Sequence, residues 1–309
     1  MRIAIFGTGG AGGYFGAHLA RAGEDVVFIA RGEHLQAIRE RGLRIETDSG
    51  EFTVRSAASD DPSQLGEVDV VLVGVKAWQV ADAARAMLLM IAPHTVVVPL
   101  QNGVEAAANL TSVLGADHVL NGLCGTISRV VGPGHILSVG QTNFIKFGEL
   151  DNSLSERVQR LRRVFEQANI KADVPPDIEA AVWEKFIFVA PYGGVGAVTR
   201  SPAGVVRSLN ESRQMVKTGM EEIVAVARAR GIALADGVIE KTMALLDSLD
   251  PNATTSLQRD IIAGRPSELE AWTGAVVRLG KEVGVPTPVN VKIYRSLLPA
   301  ELKTRGDSN

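Results

Sequence analysis

Apolar residues in the first half of the chain fall into short unbroken runs: Arg2 to Phe6, Asp25 to Ala30, Val68 to Val75, Thr95 to Leu100 and His118 to Cys124. Runs that are apolar at consecutive rather than alternate positions suit strands covered on both faces, as in a parallel sheet. Helically spaced stretches separate them, so this half reads as successive βαβ units. Asp48-Ser49-Gly50 parts two strand-like pieces and predicts a hairpin turn. A second hairpin-like stretch, from about His135 to Phe147, is expected to extend the sheet before a helix at Leu154 to Ala168.

The pattern breaks at Ala172-Asp173-Val174-Pro175-Pro176-Asp177, where two consecutive prolines bar a helix. A domain boundary is expected there, giving domains 1–172 and 173–309. Beyond it the spacing is helical, with helices predicted over Ile178 to Ala190, Glu211 to Arg230, Leu234 to Leu249 and Glu268 to Val283. The second domain is therefore expected to be all-α.

Composition narrows the function. A chain of 309 residues, 46% hydrophobic and 22% charged, is an ordinary globular one with room for two cores. A net charge of -3 and a pI near 6.0 supply no long-range attraction for polyanions, so neither nucleic acid nor an anionic membrane is expected as a partner. Strand-like residues begin at Arg2, so no secretory signal is expected, and the apolar runs are far below the roughly 20 residues of a membrane span. The single cysteine, Cys124, excludes a disulfide framework and fits a reducing compartment; it reads as a small core residue. A cytoplasmic protein is expected. His18, His34, His94, His118 and His135 lack ligand spacing, so no metal is expected.

The chemistry begins at the N-terminus. Arg2-Ile3-Ala4-Ile5-Phe6 runs into Gly7-Thr8-Gly9-Gly10-Ala11-Gly12-Gly13 and then into a helical stretch that ends at Gly23. In a strand, glycine loop, helix unit, Gly7 permits the tight turn, Gly9 lets a pyrophosphate approach the backbone, and Gly12 lets helix and strand pack closely. The helix N-terminus then offers free N–H groups to phosphates. The fold class expected is α/β: an N-terminal Rossmann-type, doubly wound, mostly parallel sheet followed by the helical domain. An NAD site usually has an acidic residue after the second strand, whereas here Ile29-Ala30-Arg31-Gly32 presents a guanidinium able to pair with a 2′-phosphate. NADP(H) is the cofactor expected. In the second domain, Lys185 sits within Ile178 to Ala190, a helix apolar on nearly every side, where burial would favour a proton-transfer role. A lysine that snorkels outward or pairs with Glu184 is the structural alternative.

Taken together these residues resemble the ketopantoate reductase (2-dehydropantoate 2-reductase) family along essentially the whole chain. The motifs are Gly7-Thr8-Gly9-Gly10-Ala11-Gly12, Arg31-Gly32, Val75-Lys76-Ala77-Trp78-Gln79, Gln101-Asn102-Gly103-Val104-Glu105, Trp183-Glu184-Lys185-Phe186, and Ser256-Leu257-Gln258-Arg259-Asp260 leading to Ser267-Glu268-Leu269-Glu270. The resemblance implies that Lys185 is the proton donor and that Lys76 and Asn102 contact the cofactor. It also implies that Asn102, Ser256 and Glu268 line the nicotinamide and substrate end. Reduction of ketopantoate to pantoate, in pantothenate synthesis, follows as the implied reaction.

The chain departs from that pattern at two positions. Four and eight residues after the lysine the family usually carries asparagines that bind the substrate; here stand Val189 and Gly193. Pro191 and the neighbouring glycines are expected to loosen or end the helix. A different keto acid is therefore an alternative substrate, unless Tyr192 or exposed backbone replaces the missing contacts. Further alternatives are a non-catalytic NADP(H)-binding sensor and a dehydrogenase working in the oxidative direction. A homodimer is the assembly expected.

Overall fold

The computed structural model describes residues 1–140 and 143–306. Its internal contacts divide the chain into two units: residues 1–101 with 105–178, and residues 102–104 with 179–309.

In the first unit the order is β1 (Arg2–Phe6), α1 (Gly10–Arg21), β2 (Asp25–Ile29), α2 (Gly32–Arg41), β3 (Leu43–Thr47), β4 (Gly50–Val54), β5 (Ala58–Ser59), β6 (Val68–Val73), α3 (Val80–Met87), β7 (Ile91–Pro99) and α4 (Ala106–Leu114). It continues through β8 (Asn121–Gly125), β9 (Ser128–Gly132), β10 (His135–Ser138), β11 (Phe144–Gly148), α5 (Glu156–Gln167) and β12 (Lys171–Asp173). The main sheet runs β5-β2-β1-β6-β7 and is parallel throughout. From β1 the chain winds outward through β2 to β5, then returns to β6 on β1's other side. That reversal puts the switch point of the doubly wound sheet at the C-terminal end of β1, where such folds bind ligands. Buried Ile3, Ile5, Phe28, Val70 and Leu72 fill one face, and Ala4, Val27, Val71 and Val97 the other. Two-sided burial accounts for the unbroken apolar runs.

Two smaller sheets differ from the expectation of one extended sheet. The Asp48-Ser49 turn joins β3 to β4 as predicted. The second hairpin is β9–β10, folded about Pro133 and Gly134. Its sheet runs β4-β3-β10-β9, whereas β11 pairs with β8 and β12 in a third. The stretch His135 to Phe147 therefore serves two sheets; its Gln141 and Thr142 lie outside the described residues. Helix α1 packs on both the main and the second sheet, which its glycines make possible. A Cβ on Gly16 would lie 2.5 Å from Ile5 Cγ1 in the main sheet, and one on Gly13 would overlap Ile136 of β10.

The second unit is helical: α6 (Ile178–Thr199), α7 (Ala203–Ser208), α8 (Asn210–Ala229), α9 (Val238–Ser248), α10 (Ser256–Ile262), a π-helical turn at Glu270–Gly274, α11 (Ala275–Glu282) and α12 (Pro288–Arg305). Trp183, Phe186, Ile187, Met220, Ile223, Trp272 and Ile293 are buried at its centre. Buried Glu222 of α8 caps α12, accepting hydrogen bonds from Val289 N at 2.7 Å, Asn290 N at 3.0 Å and Asn290 Nδ2 at 2.7 Å. Among the described residues no helix is long and apolar enough to cross a membrane.

Removing the carboxylate leaves the Val289 and Asn290 backbone N–H groups without that acceptor, while Asn290 Nδ2 keeps only its bond to Gly219 O at 3.2 Å. Glu222→Ala is expected to lower the unfolding free energy by about 2 kcal/mol in urea titrations. A second prediction concerns His18 of α1, whose ring packs on Tyr14 and Phe52. Burial, and then the nearby Arg21 cation, push its pKa down to about 4 from 6.5. Between those values the unfolded chain takes up the proton that the folded one refuses, so stability falls as pH drops from about 6.5 to about 4. His18→Phe is expected to flatten that part of the stability–pH curve measured by denaturant melts.

Candidate active site

The loop after β1 is fixed by backbone chemistry. Gly7 N and Thr8 N both point to Ile29 O, at 3.3 and 3.0 Å, and Thr8 Oγ1 donates to the same oxygen at 2.9 Å. Gly7 has φ of 102°, in the region glycine favours, and a Cβ there would sit 2.6 Å from Val75 N. A Cβ on Gly12 would overlap Gly7 O, and one on Gly10 would overlap Ser128 O. Gly9 is different: a Cβ there would meet nothing within 4 Å. It is also the N-cap of α1, with no side-chain cap and no acidic residue in the first turn. The first intrahelical bond is Gly13 N to Gly9 O, so the N–H groups of Gly10, Ala11 and Gly12 precede the ladder. Uncapped donors beside open space at the switch point of the sheet could hold an anion such as a dinucleotide pyrophosphate.

The neighbouring strand ends complete this half. Arg31 is exposed at the N-cap of α2, directly after β2, with no carboxylate among residues 29–32. Lys76 opens the turn after β6, and its Nζ lies 5.9 Å from the Trp78 ring centroid. Two supporting residues have roles that the sequence did not assign to them. Gln101 is buried and its Nε2 donates to Val73 O and Val75 O, both at 2.9 Å, tying the Lys76 turn to the end of β7. His34 joins Thr8 to Gly134. Gln101 opens one of the motifs quoted above and His34 belongs to none, but for both only the fold reveals the partners.

In the second unit Lys185 lies mid-way along α6 and is half-buried, although Trp183, Phe186 and Ile187 around it are buried. Val189 and Gly193 follow at four-residue intervals, so the three share one face of the helix. Ser256 is the first residue of α10, after the N-cap Thr255, whose side chain accepts from Gln258 N at 3.2 Å. Glu268 is buried, and its carbonyl accepts from Trp272 N at 3.0 Å. The residue before it is clamped by α12. Ser267 N donates to both Glu301 carboxylate oxygens at 3.1 Å, Ser267 Oγ donates to Oε2 at 2.5 Å, and Arg305 Nη2 donates to Ser267 O at 2.9 Å. Asn102 belongs to the 102–104 segment grouped with this unit, and a Cβ on adjacent Gly103 would lie 3.2 Å from Ala271 O, three residues past Glu268.

The helix expected to loosen or end near Pro191 instead runs on to Thr199. Close packing outweighs low helix propensity. The glycines after Lys185 are where neighbours press in: Trp272 Cζ3 would be 2.5 Å from a Cβ on Gly193, Ile293 Cγ2 2.6 Å from one on Gly194, and Gln258 Oε1 2.9 Å from one on Gly196. Gly219 of α8 likewise accommodates the Pro191 ring. Tyr192 donates its hydroxyl to Ala253 O at 2.8 Å, and burial pushes its pKa up to about 12, so it stays a neutral structural donor.

A doubly wound sheet with an uncapped glycine loop at its switch point, followed by a helical unit, is the architecture of a two-domain nicotinamide-dinucleotide oxidoreductase, and the relatives below place the chain among those acting on CH–OH groups. Models of the Ketopantoate reductase PanE/ApbA family match residues 3–152, and of its C-terminal domain residues 177–301. A 2-dehydropantoate 2-reductase of Mesorhizobium japonicum is 31% identical, with the match covering 93% of this chain and 94% of the relative. The crystal structure of a PanE/ApbA family ketopantoate reductase from Ralstonia eutropha superposes with a TM-score of 0.91 at 33% identity, covering 99% of this chain and all of that one. The 2-dehydropantoate 2-reductase of Geobacter metallireducens gives a TM-score of 0.91 at 29% identity, covering 97% of this chain and 100% of that one. The chain belongs to the ketopantoate reductase family.

Gly193→Ala forces a methyl group into the Trp272 ring and is expected to cost about 1–3 kcal/mol of stability by thermal melting. Adding Trp272→Leu should recover part of what Gly193→Ala loses, since the clash is with the indole. Additive losses in the double variant would separate the two sites.

Proposed function

We propose that the protein reduces a 2-keto acid with NADPH, and that ketopantoate, the substrate named for its relatives, is the first candidate. The observation that carries the cofactor choice is the pairing of the open, uncapped Gly9 end of α1 with Arg31 just after β2, where residues 29–32 carry no carboxylate and the first acidic residue is Glu33 in the first turn of α2. Gly7, Thr8, Gly9, Gly10, Ala11 and Gly12 would hold the pyrophosphate, Arg31 the 2′-phosphate, and Lys76 and Asn102 the ribose and nicotinamide side. When bound, NADPH supplies the hydride. Lys185, as the ammonium, stabilises the negative charge growing on the substrate's ketone oxygen and gives it a proton. Ser256 donates to the substrate carboxylate. Glu268 accepts from a substrate hydroxyl or steadies Lys185, and the Glu301 clamp on Ser267 limits its freedom.

A second reading rests on Gly193. The space of a side chain at that position is taken by the Trp272 ring, and Val189 precedes it on the same face, so α6 presents no hydrogen-bonding side chain at either position. A site lacking those partners favours a 2-keto acid with a less polar side chain than ketopantoate.

The test follows NADPH absorbance with ketopantoate and with 2-keto acids bearing aliphatic or aromatic side chains. NADPH is expected to outperform NADH, and Lys185→Ala to lower kcat at least about 100-fold. A preference for an apolar keto acid would select the second reading. NADPH binding without turnover of any keto acid would overturn the enzymatic assignment in favour of a sensor.

A further inference from the structure

His34 is the third residue of α2, and its ring spans two segments far apart in sequence. Nε2 lies 2.8 Å from the carbonyl oxygen of Thr8, and Gly134 N lies 3.0 Å from Nδ1. The partners define the tautomer. A carbonyl only accepts, so Nε2 carries the hydrogen; a backbone N–H only donates, so Nδ1 is bare. A protonated ring would set Nδ1–H against Gly134 N–H, and burial holds the pKa of His34 below the ordinary histidine value, in keeping with a neutral ring.

The consequence falls on the glycine loop. Thr8 sends its N–H and hydroxyl to Ile29 O and receives His34 on its carbonyl, so all its polar groups are held. The Thr8 carbonyl and the Gly9 N–H belong to one trans peptide and point in opposite directions. Anchoring the carbonyl on His34 therefore fixes the direction of the Gly9 N–H, at the glycine whose Cβ side is open. His34 also sits three residues after Arg31, the N-cap of the same helix.

We infer that His34 is a positioning residue of the dinucleotide site: it orients the Thr8–Gly9 peptide toward a phosphate and ties that peptide to the helix start that carries Arg31. This rests on the dinucleotide reading of the loop, not on the identity of the keto acid. The donor on Nε2 is the working part. Nδ1, which accepts from Gly134 N, holds the ring in place, and the Gly134 turn packs against α2, where a Cβ on Gly134 would lie 2.9 Å from Ala37 Cβ.

Three substitutions in the full chain separate the two bonds. His34→Gln can place an amide N–H near the Nε2 position, His34→Asn can place an oxygen near the Nδ1 position, and His34→Leu provides neither. The dissociation constant for NADPH, read from its fluorescence, is expected to rise about tenfold in His34→Leu and His34→Asn and to stay within about threefold of wild type in His34→Gln. Thermal melts identify the folded variants, and the Asn and Gln pair decides the matter if the Leu variant does not fold. Unchanged affinity in His34→Leu, retention by Asn with loss in Gln, or equal loss in all three overturns the proposal. The Asn-retaining pattern would mark His34 as a brace for the β9–β10 turn. Wild-type protein that fails to bind NADPH overturns the dinucleotide reading itself and this inference with it.

Discussion

The first unit depends on how closely α1 can approach its surroundings. A helix normally stands about 10 Å from a sheet, with side chains filling the gap. Here Gly12, Gly13 and Gly16 remove those side chains on the two packed faces, so the backbone of α1 meets β1 and β2 on one side and Ile136 of β10 on the other. Phe15 and Leu19 fill what remains and are fully buried. The same closeness holds the start of α1 under the end of β1 and leaves its first N–H groups beside open space at Gly9. Packing and the placement of these N–H groups thus draw on one run of glycines, and a side chain at most of these positions would disturb both.

Much of this was legible in the sequence because two-sided burial leaves a plain trace. Four of the five continuous apolar runs are strands of the parallel sheet, the fifth being β8, which pairs antiparallel with β11, and the loop Gly7 to Gly12 stands between a strand and a helix as read. Less legible were the features set by tertiary partners. The run from His135 to Phe147 looked like one hairpin, yet β10 joins β3 while β11 joins β8, and no local pattern distinguishes those partners. The partners of His34 and Gln101 were equally silent, because a side chain that bonds backbone groups needs no companion side chain.

Helix α6 shows the same limit from the other side. Proline and three glycines within six residues argue locally for a helix end, at a cost of about 3 kcal/mol for the proline and about 1 kcal/mol for each glycine. The helix persists because each of those residues is a contact point: Gly193 for Trp272, Gly194 for Ile293, Gly196 for Gln258 and Pro191 for Gly219. Buried aromatic and aliphatic surface gained at such contacts, at roughly 25 cal/mol per Å², offsets the propensity lost.

That packing also bears on chemistry. Lys185, Val189 and Gly193 lie on one face, and the last two lack the hydrogen-bonding groups that the family pattern places there. An asparagine cannot simply be restored at Gly193, because the Trp272 ring occupies the space its Cβ would need. Trp272 lies in the π-helical turn at Glu270–Gly274, and its own N–H bonds back to the carbonyl of Glu268. The glycine, the indole and the π-turn are therefore one arrangement: a side chain gained at position 193 would require the indole to move, and moving the indole would disturb the turn that follows Glu268. Polarity on this face is thus coupled to the placement of Glu268, and a change at one of these positions involves the others.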